Sequence, residues 1–209
     1  MKIGLMGGTF NPIHMGHLII SEFIRVMFPL DKVIFIPSGL PPHKDNDIAE
    51  GSHRMAMVKL AINSNPYFDI SQIELNRVGK SYTVDTIEEI KNIYPDNELY
   101  FIIGSDSLLD LTSWKDFESL VTKTNFLVYG RKENSEKSII GRIDELKNKY
   151  NSSFYYIRGP LVEISSTLIR DRIKNQMSIK YLVPGKVEKY IYENHLYKGE
   201  DHYRDIYKT

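Results

Sequence analysis

The sequence predicts an α/β fold: a doubly wound parallel sheet with helices on both faces and a small helical region at its C-terminal end. Three observations predict it. Short runs that are apolar throughout, such as KVIFIP (32–37) and LYFIIG (99–104), alternate with longer segments of helical period. Strands apolar at every position are covered on both faces, as in parallel sheets with crossover helices. A chain of 209 residues, 42% hydrophobic, supports one sizeable core.

The elements follow in order. Ile3 to Met6 is a short apolar run ending at Gly7-Gly8, which reads as a buried strand followed by a turn. His14 to Phe28 has apolar residues at helical spacing and stops before Pro29. Lys32 to Pro37 is the second strand, and the polar, Pro-rich SGLPPHKDND after it reads as a loop. A helix over Ser52 to Asn63 leads to a third strand, Phe68 to Leu75, and a second amphipathic helix spans Thr83 to Ile93. The fourth strand, 99–104, is the clearest. Beyond it come a short helical stretch around Lys115 to Thr122, a strand at 126–130, a helix from Glu136 to Tyr150 and a strand at 154–159. Helices at Ser166 to Asn175 and Lys186 to Asn194 close a domain expected to span residues 1–197, with 198–209 a polar tail.

In open sheets of this kind, ligands bind beyond the carboxyl ends of the strands where the strand order reverses. If the two halves wind in opposite directions, as in a Rossmann-like sheet, the first and fourth strands are neighbours. GGTF (7–10) and GSDS (104–107) then face one another across a crevice.

Composition narrows the partners. The 27 basic and 27 acidic residues cancel, so no overall field draws the chain to nucleic acid or to an anionic membrane. Any anion site is built locally. There is no cysteine, which removes disulfides, thiolate metal sites and thiol nucleophiles together and fits a cytoplasmic location. No apolar run is long enough to cross a membrane as a helix. The 14 tyrosines are scattered and do not interleave with a basic run, so no nucleic-acid stacking surface is expected. A homo-oligomer is left open.

The segment GGTFNPIHMGH (7–17) carries the most chemistry. Gly7 and Gly8 permit a close backbone approach to a ligand, and the following helix offers N–H groups and the positive end of its dipole. His14 and His17, at i and i+3, project from one face and can donate to the same anion. Two histidines could also begin a zinc site, but no cysteine and no clear third ligand follow, so no metal ligand is assigned.

These residues resemble a family. GGTFNPIHMGH is similar to the GGTFxPxHxGH signature of the HIGH-motif nucleotidyltransferases, and ISSTLIR (164–170) to their ISSTxxR element. PPHK (41–44), SYTVDT (81–86), FIIGSDSL (101–108) and TSW (112–114) narrow the resemblance to the bacterial nicotinate-nucleotide adenylyltransferases, over residues 1 to about 197. Asn11 departs from the commoner Asp while keeping a turn-forming side chain before Pro12.

The resemblance implies transfer of AMP from ATP to nicotinate mononucleotide, with Mg2+ carried on the ATP phosphates and release of deamido-NAD and pyrophosphate. It implies that His14, His17, Lys44 and Arg170 form the catalytic set. Gly8, Thr9 and Phe10 would hold the nucleotide through their backbone, Gly104, Asp106 and Ser107 would meet adenosine, and Ser165, Ser166 and Thr167 would hold the outer phosphates. Ser81, Tyr82, Thr83 and Trp114 would receive the acceptor. Some of these residues have plainer readings: Ser165 to Thr167 could be only a helix N-cap, Asp106 could cap a short helix, and Trp114 could be a surface-packed ring. A sister adenylyltransferase acting on phosphopantetheine, or a non-catalytic nucleotide-binding module, are the alternatives. QMSIK (176–180) is a chance likeness to the lysine loop of class I tRNA synthetases, since no basic patch accompanies it.

Overall fold

A computed structural model describes residues 1–39, 48–130 and 133–198, and the side chains of 133–135 are excluded. Its six parallel strands are β1 (Lys2–Gly8), β2 (Lys32–Pro37), β3 (Phe68–Ile70), β4 (Glu98–Gly104), β5 (Asn125–Gly130) and β6 (Ser153–Arg158), in the sheet order β3-β2-β1-β4-β5-β6. The order reverses between β1 and β4, as the two-way winding requires.

Among the described residues the helices are α1 (Met15–Met27), α2 (Gly51–Ile62), α3 (Thr83–Ile93), α4 (Ser105–Asp110), α5 (Phe117–Lys123), α6 (Glu133–Tyr150), α7 (Ser166–Lys174) and α8 (Gly185–Glu193). Alternate strand residues feed two separate cores, the period-2 geometry of a strand covered on both faces. Leu127 and Tyr129 join Ile24 of α1, Met57 of α2, Ile169 of α7 and Val187 of α8 on one side. Phe126 and Val128 join Ile87 of α3, Leu120 of α5 and Ile143 of α6 on the other. The C-terminal helical region is therefore part of the layer that carries α1.

Four expectations from the sequence change. Gly7 and Gly8 stay in the strand, paired with Ile36 and Pro37, and the chain turns at Phe10, which has a left-handed φ of 48°. The strand expected over Phe68 to Leu75 ends at Ile70. One further ladder bond, from Ser71 N–H to the Phe35 carbonyl, closes the pairing, and the next residues coil inward to bury Glu74. Residues 105–110 form the helix α4, too short to show a period in sequence, followed by a 3₁₀ turn at Leu111–Ser113. The helix expected around Lys115 starts at Phe117, because Asp116 is left-handed at φ 50°. Lys44, with the rest of 40–47, and the tail from 199 lie outside the described residues.

Candidate active site

β1 and β4 pair only as far as Leu5 and Phe101, whereas β1 and β2 remain paired to Gly8 and Pro37. Past that point β1 and β4 separate, and a cavity of about 390 Å³ occupies the gap, bordered by Gly7 and Gly8 on one wall and Ile102 to Gly104 on the other. A side chain at either glycine would press on an aromatic ring. A Cβ on Gly7 would stand 3.0 Å from the Phe101 ring, and one on Gly8 would stand 3.2 Å from the Phe10 ring.

His14 is the N-cap of α1, and its N–H donates to Nδ1 of His17 at 3.3 Å. The two imidazoles stack with centroids 3.7 Å apart, and Phe10 meets the His17 ring edge-on at 5.0 Å. Phe10 is thus a buried wedge that fixes His17, and its side chain does not border the cavity. Since Nδ1 of His17 accepts, the proton of the neutral ring sits on Nε2. His17 itself borders the cavity.

Burial, reinforced by the His14 charge, holds the His17 imidazole well below the usual range, so at neutral pH it is an uncharged donor. The sign of the stability effect follows. Below about pH 6.5 the unfolded chain protonates this histidine and the folded one does not, so its contribution is complete above that pH and is lost as pH falls through the interval. Wild-type protein should therefore lose more thermal midpoint between pH 7 and 5.5 than His17→Gln. Equal losses would contradict the assignment. Glu74, pushed up by burial, acts in the opposite direction in both proteins and drops out of the difference.

The α1 N-terminus is less open than the sequence suggests. Met15 N–H donates to the Leu182 carbonyl at 2.9 Å and His17 N–H to the His14 carbonyl at 3.0 Å. The α7 entry leans over the same turn, for a Cβ on Gly16 would stand 3.4 Å from the Ile164 carbonyl. Ser165 caps α7 by accepting from Leu168 N–H at 3.1 Å, and Ser166 Oγ donates to the Pro12 carbonyl at 2.9 Å. Thr167 is exposed. Arg170 Nη1 donates to the Asn11 carbonyl at 2.9 Å, while its buried Nε has no partner among the described residues. Asn11 Oδ1 accepts from Ala49 N–H at 3.0 Å and from the Tyr197 hydroxyl at 2.9 Å, tying the distal end of the described chain to the histidine loop.

Gly8, Thr9, His17, Gly104 and Ser107 border the same cavity as Ser81, Thr83 and Trp114. Phe101 meets Trp114 edge-on at 6.2 Å, so the indole is packed and also faces the cavity. Two expected residues turn elsewhere. The Tyr82 ring lies under Lys115, 4.3 Å from Nζ, and Asp106 is exposed at the second position of α4, where its side chain caps nothing. The N-terminus of α3, next to Thr83, has no side-chain cap.

Sequence reasoning missed Arg54, Ser38 and Glu74. Arg54 is 3% exposed and donates from Nε to the Ala49 carbonyl at 2.9 Å, and from Nη1 to the carbonyls of Thr9 at 2.9 Å and Ser38 at 2.7 Å. Its Nη2 reaches the Gly39 carbonyl at 3.3 Å. A signal existed: Arg54, Met57, Val58, Ala61 and Ile62 are the buried stripe of α2, with the arginine at its head. Glu74 borders the cavity beside Ser81, accepts from Thr86 Oγ1 at 2.7 Å, and is pushed upward by burial against that hydrogen bond.

Gly39 sits against this corner. A Cβ there would overlap the Glu74 carbonyl oxygen and lie 2.7 Å from Ser81 Oγ. Gly39→Ala should therefore displace one of the two loops, costing roughly 1–3 kcal/mol of stability, and should lower kcat/KM. Gly185→Ala, where a Cβ meets nothing within 4 Å, is the control. Indistinguishable thermal midpoints and kinetics for the two variants would contradict the packing described.

The sequence pattern of the cytidylyltransferase-like family matches residues 5–172. A protein of Thermoanaerobacter sp. (strain X514), named a probable nicotinate-nucleotide adenylyltransferase, is 42% identical over 203 residues, covering 96% of each chain. One of the same name from Caldicellulosiruptor bescii is 43% identical over 198 residues, 95% of this chain and all of that one. Among solved structures, the Plasmodium falciparum nicotinic acid mononucleotide adenylyltransferase complexed with NaAD superposes with a TM-score of 0.78 at 23% identity, covering 94% of this chain and 97% of that one. At that identity the superposition speaks for the fold alone.

Proposed function

The chain belongs to the cytidylyltransferase-like family and, within it, to the nicotinate-nucleotide adenylyltransferases, and on that footing we propose how it passes AMP from ATP to nicotinate mononucleotide in NAD biosynthesis. The acceptor's 5′-phosphate oxygen attacks the α-phosphorus of ATP in line. The new P–O bond forms as the bond to the β-phosphate breaks, giving deamido-NAD and pyrophosphate. A phosphomonoester has a second pKa of about 6, so the nucleophile is already largely dianionic and no general base is needed. Alignment and charge stabilisation carry the rate.

His17 donates from Nε2 to the phosphate oxygens as charge grows on them, with His14 holding its ring. The free Nε of Arg170 and the Lys44 ammonium add fixed positive charge. Gly8, Thr9 and Phe10 hold the nucleotide by their backbone. Gly104 and Ser107 meet adenosine, with Asp106 at the rim. Thr167 and the α7 entry face the outer phosphates; Ser165 and Ser166 shape that entry through the bonds already described. Ser81, Thr83 and the uncapped N-terminus of α3 take the nicotinate carboxylate, Tyr82 contributing its backbone and not its ring, and Trp114 takes the pyridine ring.

Magnesium would arrive on ATP, coordinated mostly by phosphate and water. It would supply charge neutralisation on the β- and γ-phosphates. No helix among the described residues is long and apolar enough to cross a membrane. From the solubility of both nucleotide substrates we infer a cytoplasmic location.

The observation that supports this reading best is the joining of the nucleotide loop, His17 and the acceptor residues on one cavity where β1 and β4 part. The test is pyrophosphate release from ATP and magnesium with nicotinate mononucleotide, nicotinamide mononucleotide or phosphopantetheine in turn. Rapid release with the first is expected. Preference for phosphopantetheine, or no release with any of them, would overturn the assignment.

A further inference from the structure

Arg54 is a full positive charge placed in the interior with no ion pair among the described residues, the Glu74 carboxylate acting on it only through space. None of its partners among the described residues is acidic, and four of its donors go to backbone carbonyls. A guanidinium has five donors in a rigid planar fork and stays protonated throughout the working pH range. Burying such a group against neutral dipoles is costly, and an apolar side chain would continue the α2 stripe more simply. The location suggests what it is for. The carbonyls belong to Thr9, just beyond β1, to Ser38 and Gly39, just beyond β2, and to Ala49, just before α2. Two of them, Thr9 and Ser38, border the cavity.

The carbonyl directions fix the rest of each peptide. In a trans peptide the N–H points opposite to the C=O. Turning the Thr9 and Ser38 carbonyls onto Arg54 therefore turns the N–H groups of Phe10 and Gly39 away from it. The Phe10 N–H has no backbone partner among the described residues, while the Gly39 N–H is held by the Glu74 carboxylate at the cavity border. Ser38 also borders the cavity, and its buried hydroxyl has no partner among the described residues. A buried hydroxyl without a partner requires an explanation, and a substrate is the simplest one.

We propose that Arg54 is a positioning residue for adenylyl transfer: it locks the loops after β1 and β2 through the carbonyls of Thr9, Ser38 and Gly39, and so presents the Ser38 hydroxyl and the Phe10 N–H to the bound substrates. Its charge adds to the field that receives polyanionic nucleotides in a chain with no net charge of its own. A lysine has three donors from a single point and cannot span four carbonyls.

The proposal rests on the adenylyltransferase reading above, and the experiment separates the two, since wild-type activity tests that reading alone. Arg54→Lys, Ser38→Ala and the double variant are compared with wild type for kcat, both KM values and thermal midpoint. Arg54→Lys should stay folded and lose kcat by roughly 10- to 100-fold, with each KM within about threefold, because donors are misaimed while binding contacts elsewhere persist. Ser38→Ala should cost about tenfold in the wild-type background and less than about twofold in the Arg54→Lys background, because a hydroxyl that is no longer aimed has little left to lose. Additive losses would overturn the proposal, as would Arg54→Lys with wild-type kcat. An Arg54→Met protein whose kcat per folded molecule matches wild type would reduce Arg54 to a structural role and overturn it too.

Discussion

Replacing His17 with alanine is expected to lower kcat by roughly 10²-fold or more while changing the ATP dissociation constant only a few fold. His17 is a neutral donor whose proton is fixed on Nε2 by the bond from His14 N–H. A neutral donor gains most when the phosphate oxygens gain charge, which happens on the way to the transition state and less in the bound ground state. His17→Gln, which can place an amide N–H near the Nε2 position, should recover part of the loss. Kinetics of all three proteins, with ATP binding measured separately by calorimetry, check this. An alanine variant with wild-type kcat would remove His17 from the chemistry. One that loses ATP binding in proportion to kcat would make it a ground-state contact.

The second large effect concerns the acceptor. The enzyme should prefer nicotinate mononucleotide to nicotinamide mononucleotide by on the order of 10²-fold or greater in kcat/KM. The uncapped N-terminus of α3 offers N–H donors and the positive end of a helix dipole beside Thr83, and a carboxylate satisfies donors on both of its oxygens. An amide presents a donor to a donor on one side, leaving a buried group unpaired at roughly 1–3 kcal/mol, more when the lost partner was charged. Two such mismatches reach the predicted ratio, since each 1.4 kcal/mol is about a factor of ten. Trp114→Ala should weaken both acceptors alike, by roughly 10- to 100-fold, because stacking reads the ring and not its substituent. Similar wild-type values for the two mononucleotides would reject the acid-selective site. An unchanged Trp114→Ala would remove the indole from it.

The sheet was legible because its strands are apolar on both faces and its crossover helices are long enough to show a period. The pairing of β1 with β4, and hence the position of the crevice, followed from topology before any motif was considered. What stayed hidden was set by contacts across the chain. The turn after β1 falls at Phe10, a residue type that seldom adopts a left-handed φ, and not at the glycine pair that advertises a turn. The sequence FDISQIEL reads as one strand through Glu74, but β3 is an edge strand, and burying Glu74 with Thr86 and Ser81 competes with pairing. An arginine within a helix reads as solvent-facing; its place at the head of the α2 stripe hints otherwise, and its carbonyl partners from three separate segments show why Arg54 is interior. The motif residues were legible as a set, whereas the direction each side chain faces was not. Tyr82 and Asp106 turn from the cavity that Thr83 and Ser107 border.

The site performs no covalent chemistry of its own and works by aligning two substrates for a single displacement at the α-phosphorus. The stereochemical course tests it most directly. Wild-type enzyme would be given one diastereomer of ATP bearing sulfur on the α-phosphorus, together with nicotinate mononucleotide, and the configuration of the thio-substituted deamido-NAD would be determined by phosphorus NMR. Inversion is expected, the outcome of one in-line attack by the acceptor phosphate. Retention would show two successive displacements through an enzyme-bound adenylyl group and would contradict it.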